Sequence, residues 1–117
     1  MKMLNITQRQ TEKTTILDLE GNVILGGSSK RLGTEVRGLV EAGTTNVLLN
    51  FADVKYLDSS GVGELLSLLK VANQAGGSLK ISNLSPKVEE VLTLSSILPM
   101  FDIYDDERAA LESGSPA

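Results

Sequence analysis

The sequence predicts one α/β domain with a mixed, mostly parallel sheet of about five strands and about four helices. Three observations carry this. From residue 14 onward, short apolar runs of strand length alternate with longer segments of helical periodicity, an order that implies right-handed crossovers between parallel strands. The first two strand patterns are separated only by the polar residues 8–13, which favours an antiparallel hairpin at the start. The length, 117 residues, suits a single domain that buries its own core without cross-links.

Leu4 and Ile6 alternate with polar residues in a short first strand, and residues 14–20 form a second with Ile16, Leu17 and Leu19. Gly21-Asn22-Val23-Ile24-Leu25-Gly26-Gly27 reads as a loop, apolar in its middle, whose side chains are buried either in the fold or by a partner. Ser28 or Ser29 then caps a helix with Leu32, Val36, Leu39 and Val40 on one face, ending at Ala42-Gly43. Val47, Leu48 and Leu49 form the continuous apolar run of a strand covered on both faces. The longest helical pattern follows, with Val62, Leu65, Leu66, Leu69 and Ala72 as its inner stripe, Leu68 and Val71 widening it, and Gly76-Gly77 closing it. Leu79 and Ile81 mark a fourth strand. Ser85-Pro86 opens a helix by a capping hydroxyl followed by proline at the first helical position, and Val88, Val91, Leu92 and Leu94 are its inward candidates. Phe101, Ile103 and Tyr104 suggest the last strand, and Asp105 or Asp106 opens a final short helix through Leu111. The domain is thus expected over residues 1–112, with residues 113–117 as a disordered tail.

Composition excludes whole classes of chemistry. There is no cysteine and no histidine, so disulfides, thiolate catalysis, Ser-His-Asp triads and imidazole or thiolate zinc sites are ruled out. No metal site or cofactor is expected. Eleven basic against 15 acidic residues give a net charge of −4, and only four aromatic residues are present, which argues against a nucleic-acid partner. No apolar run approaches the length of a membrane span and no signal-peptide pattern opens the chain, so a cytoplasmic protein without membrane contact is expected.

The stretch Tyr56-Leu57-Asp58-Ser59-Ser60-Gly61-Val62-Gly63 joins the central strand to the longest helix. In open α/β sheets, ligands and partners meet the crevice beyond the carboxyl ends of the strands. Asp58 and the two serines are good helix caps. Gly61 and Gly63 exceed what capping needs, since each costs about 1 kcal/mol against alanine inside a helix. They indicate that something approaches the backbone closely.

On this motif, in this strand-turn-helix context, the chain resembles anti-sigma factor antagonists of the STAS family (sulfate transporter and anti-sigma factor antagonist). The resemblance spans about residues 4–111 and is strongest from Asn50 to Gly63, with support from Gly76-Gly77 and Ser85-Pro86. It implies a STAS-like domain that acts as a substrate and binding module, not an enzyme. The implied partners are a serine-kinase anti-sigma factor, which binds the unphosphorylated form and phosphorylates Ser59, and a PP2C-type phosphatase that reverses the step. The implied partner surface comprises Asn22, Val23, Ile24, Asp58, Ser59, Ser60, Gly61, Val62 and Gly63, on a protein that is a monomer or weak dimer.

One stretch departs from the family. Members often read Gly-(Glu/Asp)-(Leu/Ile/Phe)-Asp after the second strand, with the second acid near the phosphorylated serine. Here Gly21-Asn22-Val23-Ile24 lacks both acids. That difference favours an alternative, a STAS scaffold that signals by contact without phosphate turnover. An enzyme with Ser59 or Ser60 as nucleophile would need Lys55, Lys70 or a carboxylate as base, and no Gly-x-Ser-x-Gly or Ser-x-x-Lys pattern provides one.

Overall fold

A computed structural model describes residues 4–24 and 27–113. The order is β1 (Asn5–Gln10), β2 (Thr15–Val23), α1 (Ser28–Glu41), β3 (Asn46–Leu57), α2 (Ser59–Gln74), β4 (Ser78–Ser82), α3 (Pro86–Leu94), a 3-10 turn (Leu98–Met100), β5 (Asp102–Tyr104) and α4 (Glu107–Glu112). The five strands lie side by side in chain order. β1 and β2 form the expected antiparallel hairpin, and every later pair is parallel.

Strands that march one way across a sheet through crossovers of a single hand place all the crossover helices on one face. The side chains obey this. Leu17, Leu19, Val47, Leu49, Phe51, Leu79 and Ile81 share one buried cluster with Leu32 and Val36 of α1, Leu65 and Leu68 of α2, and Val88 and Leu92 of α3. The alternate residues Ile16 and Leu48 point the other way and meet Ala110 of α4.

Three strands run further than the sequence pattern suggests. β1 continues through Gln10, and residues 11–14 make the turn, closed by Thr11 N–H donating to the Thr14 carbonyl at 2.9 Å. β2 continues to Val23 and β3 to Leu57, and they stay paired to those ends. Their register shifts twice, between Asp18 and Glu20 and between Gly21 and Asn22, each time with an extra residue on β3. Gly21 has φ 120°, which explains how the strand passes a residue that reads as a terminator. Asn50 stabilises the first shift: its Nδ2 donates to Asp18 Oδ1 at 2.8 Å, and its Oδ1 accepts the Ala52 N–H at 3.0 Å.

The helices hold smaller corrections. α1 is preceded by Gly27 with no side-chain cap; the Ser28 hydroxyl instead accepts from Ile24 N and donates to Ile24 O. The buried stripe of α2 runs through Gly61, Leu65, Leu68 and Ala72, so Leu68 takes the inner place expected of Leu66. Ser85 caps α3 as expected, but Leu94 is 77% exposed at its end. Asp106 caps α4. Ser113, expected in the tail, is engaged: its hydroxyl donates to Ala110 O at 2.8 Å and accepts from Lys80 Nζ at 2.6 Å. The rest of the expected tail, residues 114–117, lies outside the described residues.

α4 is fastened to the sheet by cations at both ends. Arg9 on β1 binds Asp18 through two nitrogens and reaches Glu107 in the first turn of α4. Buried Lys80 on β4 donates to Ala110 O at the helix C-terminal end, where positive charge is favoured. The bond from Arg9 is the main cause that holds the Asp18 carboxyl below its ordinary range, with a smaller contribution from Asn50; partial burial opposes both. A carboxylate whose folded pKa is depressed contributes stability above its unfolded pKa, near 4, and that contribution is lost as pH falls through the folded value. Urea midpoints measured from pH 7 to pH 3 should therefore fall more steeply for the wild type than for Asp18→Asn, with the difference confined to the region below about pH 5.

Candidate functional site

The site is the turn between β3 and α2. Asp58 sits in an extended conformation (φ −106°, ψ −176°), as a helix cap requires, and its Oδ1 accepts the Gly61 N–H at 3.0 Å. Its own N–H donates to the Val23 carbonyl at 3.3 Å, and its carbonyl accepts from Val62 N at 2.9 Å. The turn is thus pinned to the end of β2 on one side and to its helix on the other.

The two glycines of the motif have different surroundings. A Cβ on Gly61 would stand 2.4 Å from the Val23 carbonyl oxygen and 2.5 Å from Leu57 Cδ1. The close approach expected at Gly61 is therefore internal, between α2 and the end of β2. At Gly63 a Cβ would meet nothing within 4 Å, and the residue is exposed. Whatever explains Gly63 is not the packing of the described residues.

The serines differ as well. Ser59, the first residue of α2, is exposed, and no side-chain hydrogen bond holds its hydroxyl among the described residues. Ser60 is half-buried, and its Oγ lies 3.0 Å from the Oγ of Ser29, a residue of α1 that is 6% exposed. The unpaired N–H groups and partial positive charge of a helix start surround Ser59, an environment that tolerates an anion.

Of the remaining residues expected at the surface, Asn22 is half-buried on β2 opposite Tyr56, and Ile24 is half-buried with its backbone tied to Ser28. Val62 packs partly against the core. Val23 and Gly61 lie buried rather than at the surface. The Val23 side chain is fully buried in the main cluster and its carbonyl is taken by Asp58, while Gly61 lies beneath that carbonyl. They shape the turn from inside. Leu25 and Gly26 lie outside the described residues.

Two features were missed from the sequence. Ser29 meets Ser60 across 31 positions, a pairing that no local pattern signals. Tyr56, three residues before Ser59, is 46% exposed, with Lys87 Nζ 5.3 Å from its ring centre. On the α1 side, Arg37 bridges to α2 by donating to Glu64 Oε2 and Ser67 Oγ, both at 2.8 Å.

The model of the STAS domain matches residues 5–110, nearly the whole described chain. The chain belongs to the STAS domain family. This STAS domain is 33% identical to an anti-sigma F factor antagonist of Paenibacillus polymyxa over 66 residues, 56% of each chain. It is 27% identical to an anti-sigma-B factor antagonist of Bacillus subtilis over 100 residues, 86% of this chain and 90% of that one. Among solved structures, it shares the fold of the Bacillus cell-fate determinant SpoIIAA in its phosphorylated form, at TM-score 0.71 and 21% identity, covering 94% of this chain and all of that one.

Among the described residues, no cluster of three or more acidic side chains is placed to hold a metal ion, and no helix is long and apolar enough to cross a membrane.

Proposed function

We propose that this STAS domain is an anti-sigma factor antagonist whose binding to a serine-kinase anti-sigma factor is ended by phosphorylation of Ser59. The observation that carries the reading is the contrast within the serine pair: the Ser59 hydroxyl is exposed at the helix start, whereas that of Ser60 is engaged with Ser29. In the step, Ser59 Oγ bonds to the γ-phosphorus of ATP, the bond from that phosphorus to the β–γ bridging oxygen breaks, ADP leaves with the electron pair, and a base on the kinase takes the hydroxyl proton. A PP2C-type phosphatase hydrolyses the ester and resets the protein. The chain is a substrate and a binding partner in this scheme and catalyses nothing. Two of its relatives are named as anti-sigma factor antagonists, and a phosphorylated form of a protein of the same fold exists. In this scheme the protein acts in the cytoplasm.

The test is incubation with a cognate kinase and ATP, followed by peptide mapping. Phosphate on Ser59 and release of the kinase from the phosphorylated protein are expected. Phosphate on Ser60 alone, or none, would overturn the assignment.

Gly63 offers a separate check on where the partner docks. It lies one helical turn beyond Ser59, exposed and with open space around it. Gly38 on α1 is equally exposed and open, but belongs to another helix. Changing either to alanine should stabilise the free protein by up to about 1 kcal/mol. Only Gly63→Ala should weaken kinase binding, by about tenfold. Equal binding by the two variants would show that the partner does not approach this turn of α2.

Asn22 and Ile24 favour a second reading. They stand beside the turn where the family often has acids, and Ile24 can contribute no charge near Ser59. A scaffold that binds without phosphate turnover would fit them. It predicts that ATP leaves the complex intact.

A further inference from the structure

Two adjacent serines present a kinase with chemically identical nucleophiles, and the turn itself must distinguish them. We propose that Ser29 is a positioning residue that directs phosphoryl transfer to Ser59 by engaging the hydroxyl of Ser60. This rests on the functional reading above and adds the origin of its selectivity.

The geometry is specific. Ser29 lies in the first turn of α1 and is 6% exposed, so water has little access to its hydroxyl. Its Oγ is 3.0 Å from Ser60 Oγ, close to the usual separation of paired hydroxyls. For Ser60 to attack the γ-phosphorus of ATP, its oxygen must leave this contact and turn toward solvent. That movement leaves the Ser29 hydroxyl buried without its partner, a penalty that hydroxyls in water do not pay. Ser59 faces no comparable loss, since its side chain is exposed. The bond-making step is the same for either serine: oxygen to γ-phosphorus, ADP departing, and the proton passing to the kinase. What differs is the freedom of the attacking oxygen.

The pairing joins α1 to α2, and these helices also touch through Arg37, Glu64 and Ser67. Removing the Ser29 hydroxyl thus leaves a second polar contact between the helices in place. Loss of selectivity can then be separated from loss of the fold.

The experiment measures the rate of phosphate incorporation at Ser60 with the kinase and ATP, in a Ser59→Ala background. Ser29→Ala and the larger Ser29→Val both remove the hydroxyl, and Ser29→Thr retains it. Thermal unfolding confirms which variants are folded, and Ser29→Val substitutes for Ser29→Ala should the smaller residue disturb the helix contact. Loss of the hydroxyl should raise Ser60 phosphorylation by about tenfold, the factor controlled by one hydrogen bond of ordinary strength. Ser29→Thr should restore the low rate. With Ser59 present, the same variants should shift mapped phosphate from Ser59 toward Ser60. A folded Ser29→Ala or Ser29→Val protein whose Ser60 rate matches that of the parent would overturn the proposal while leaving Ser59 as acceptor. Absence of phosphate on wild-type protein would instead overturn the functional reading, and this inference with it.

Discussion

Alanine at Gly61 should lower the thermal midpoint by roughly 10 °C, the largest single-residue effect expected at the turn. The added Cβ would stand 2.4 Å from the Val23 carbonyl oxygen. That oxygen belongs to the backbone and already accepts from Asp58 N, so it cannot rotate aside as a side chain would. Either the first turn of α2 lifts or the end of β2 moves, and each disturbs fully buried neighbours such as Val23, Leu57 and Leu65. Overpacking of this kind costs about 1–3 kcal/mol, sometimes more, which for a domain of this size gives a fall of that order. Alanine has the higher helix propensity, so a rule based on propensity alone predicts the opposite sign. Differential scanning calorimetry on Gly61→Ala and Gly63→Ala side by side decides it: the first should fall and the second rise. An unchanged midpoint for Gly61→Ala would show that the junction between β2 and α2 is loose.

The second large effect is on binding. Ser59→Asp and Ser59→Glu should fold normally, because the residue is exposed and an acid at a helix start is favoured by about 0.3–1 kcal/mol. Kinase binding should nevertheless weaken by about 1–3 kcal/mol, the range for burying a polar group without adequate partners, which is about fivefold to 150-fold in affinity. A phosphate, with its charge of about −1.5 to −2, should do more. Ser59→Ala adds neither charge nor bulk. It should bind like the wild type and resist release by ATP. Titration calorimetry against the kinase measures all three variants under one condition. Equal affinity for the Asp and Ala forms would show that charge at this turn does not govern the interface, and the scaffold reading would take its place.

The parts of the fold legible in the sequence were those set by local chemistry. The apolar run 47–49, the alternating Leu79 and Ile81, the Ser85-Pro86 start and the Gly76-Gly77 stop each declare themselves within a few residues, and the structure places them as expected. The Asp58 cap was legible for the same reason. The ends of β2 and β3 were not. The two register shifts break the alternation by which a strand is recognised, and β3 runs on through Asp53, Lys55 and Tyr56, well past the apolar run that marks it. Leu66 and Leu68 exchanged roles because both fall near the edge of a broad apolar stripe, and only the helix rotation against the sheet decides between them. Lys80 was silent in the sequence; its burial comes from α4 crossing the outer face of β4.

The site divided along the same line. That Asp58-Ser59-Ser60-Gly61 would begin a helix after the central strand was visible at once. That Gly61 answers to an internal carbonyl, Gly63 to none, and Ser60 to Ser29 was not visible, because each depends on residues more than 30 positions away or on their absence. Three-dimensional neighbours separate residues that a motif treats as equivalent.

The sequential strand order bears on how fast the domain assembles. Thr15 pairs with Val47, Val47 with Leu79, and Ile81 with Ile103, so each new strand joins the one made immediately before it. Each chain segment to be closed is roughly 20–30 residues, and the entropy of closure grows only slowly with length. No strand must wait for a distant end of the chain before it can pair. A sheet of this kind has a short mean separation between contacting residues for an α/β topology, and such chains fold toward the faster end of their class. During synthesis, the hairpin and the first crossover can form while β5 and α4 are still being made, and α4 closes over Ile16 and Leu48 only at the end.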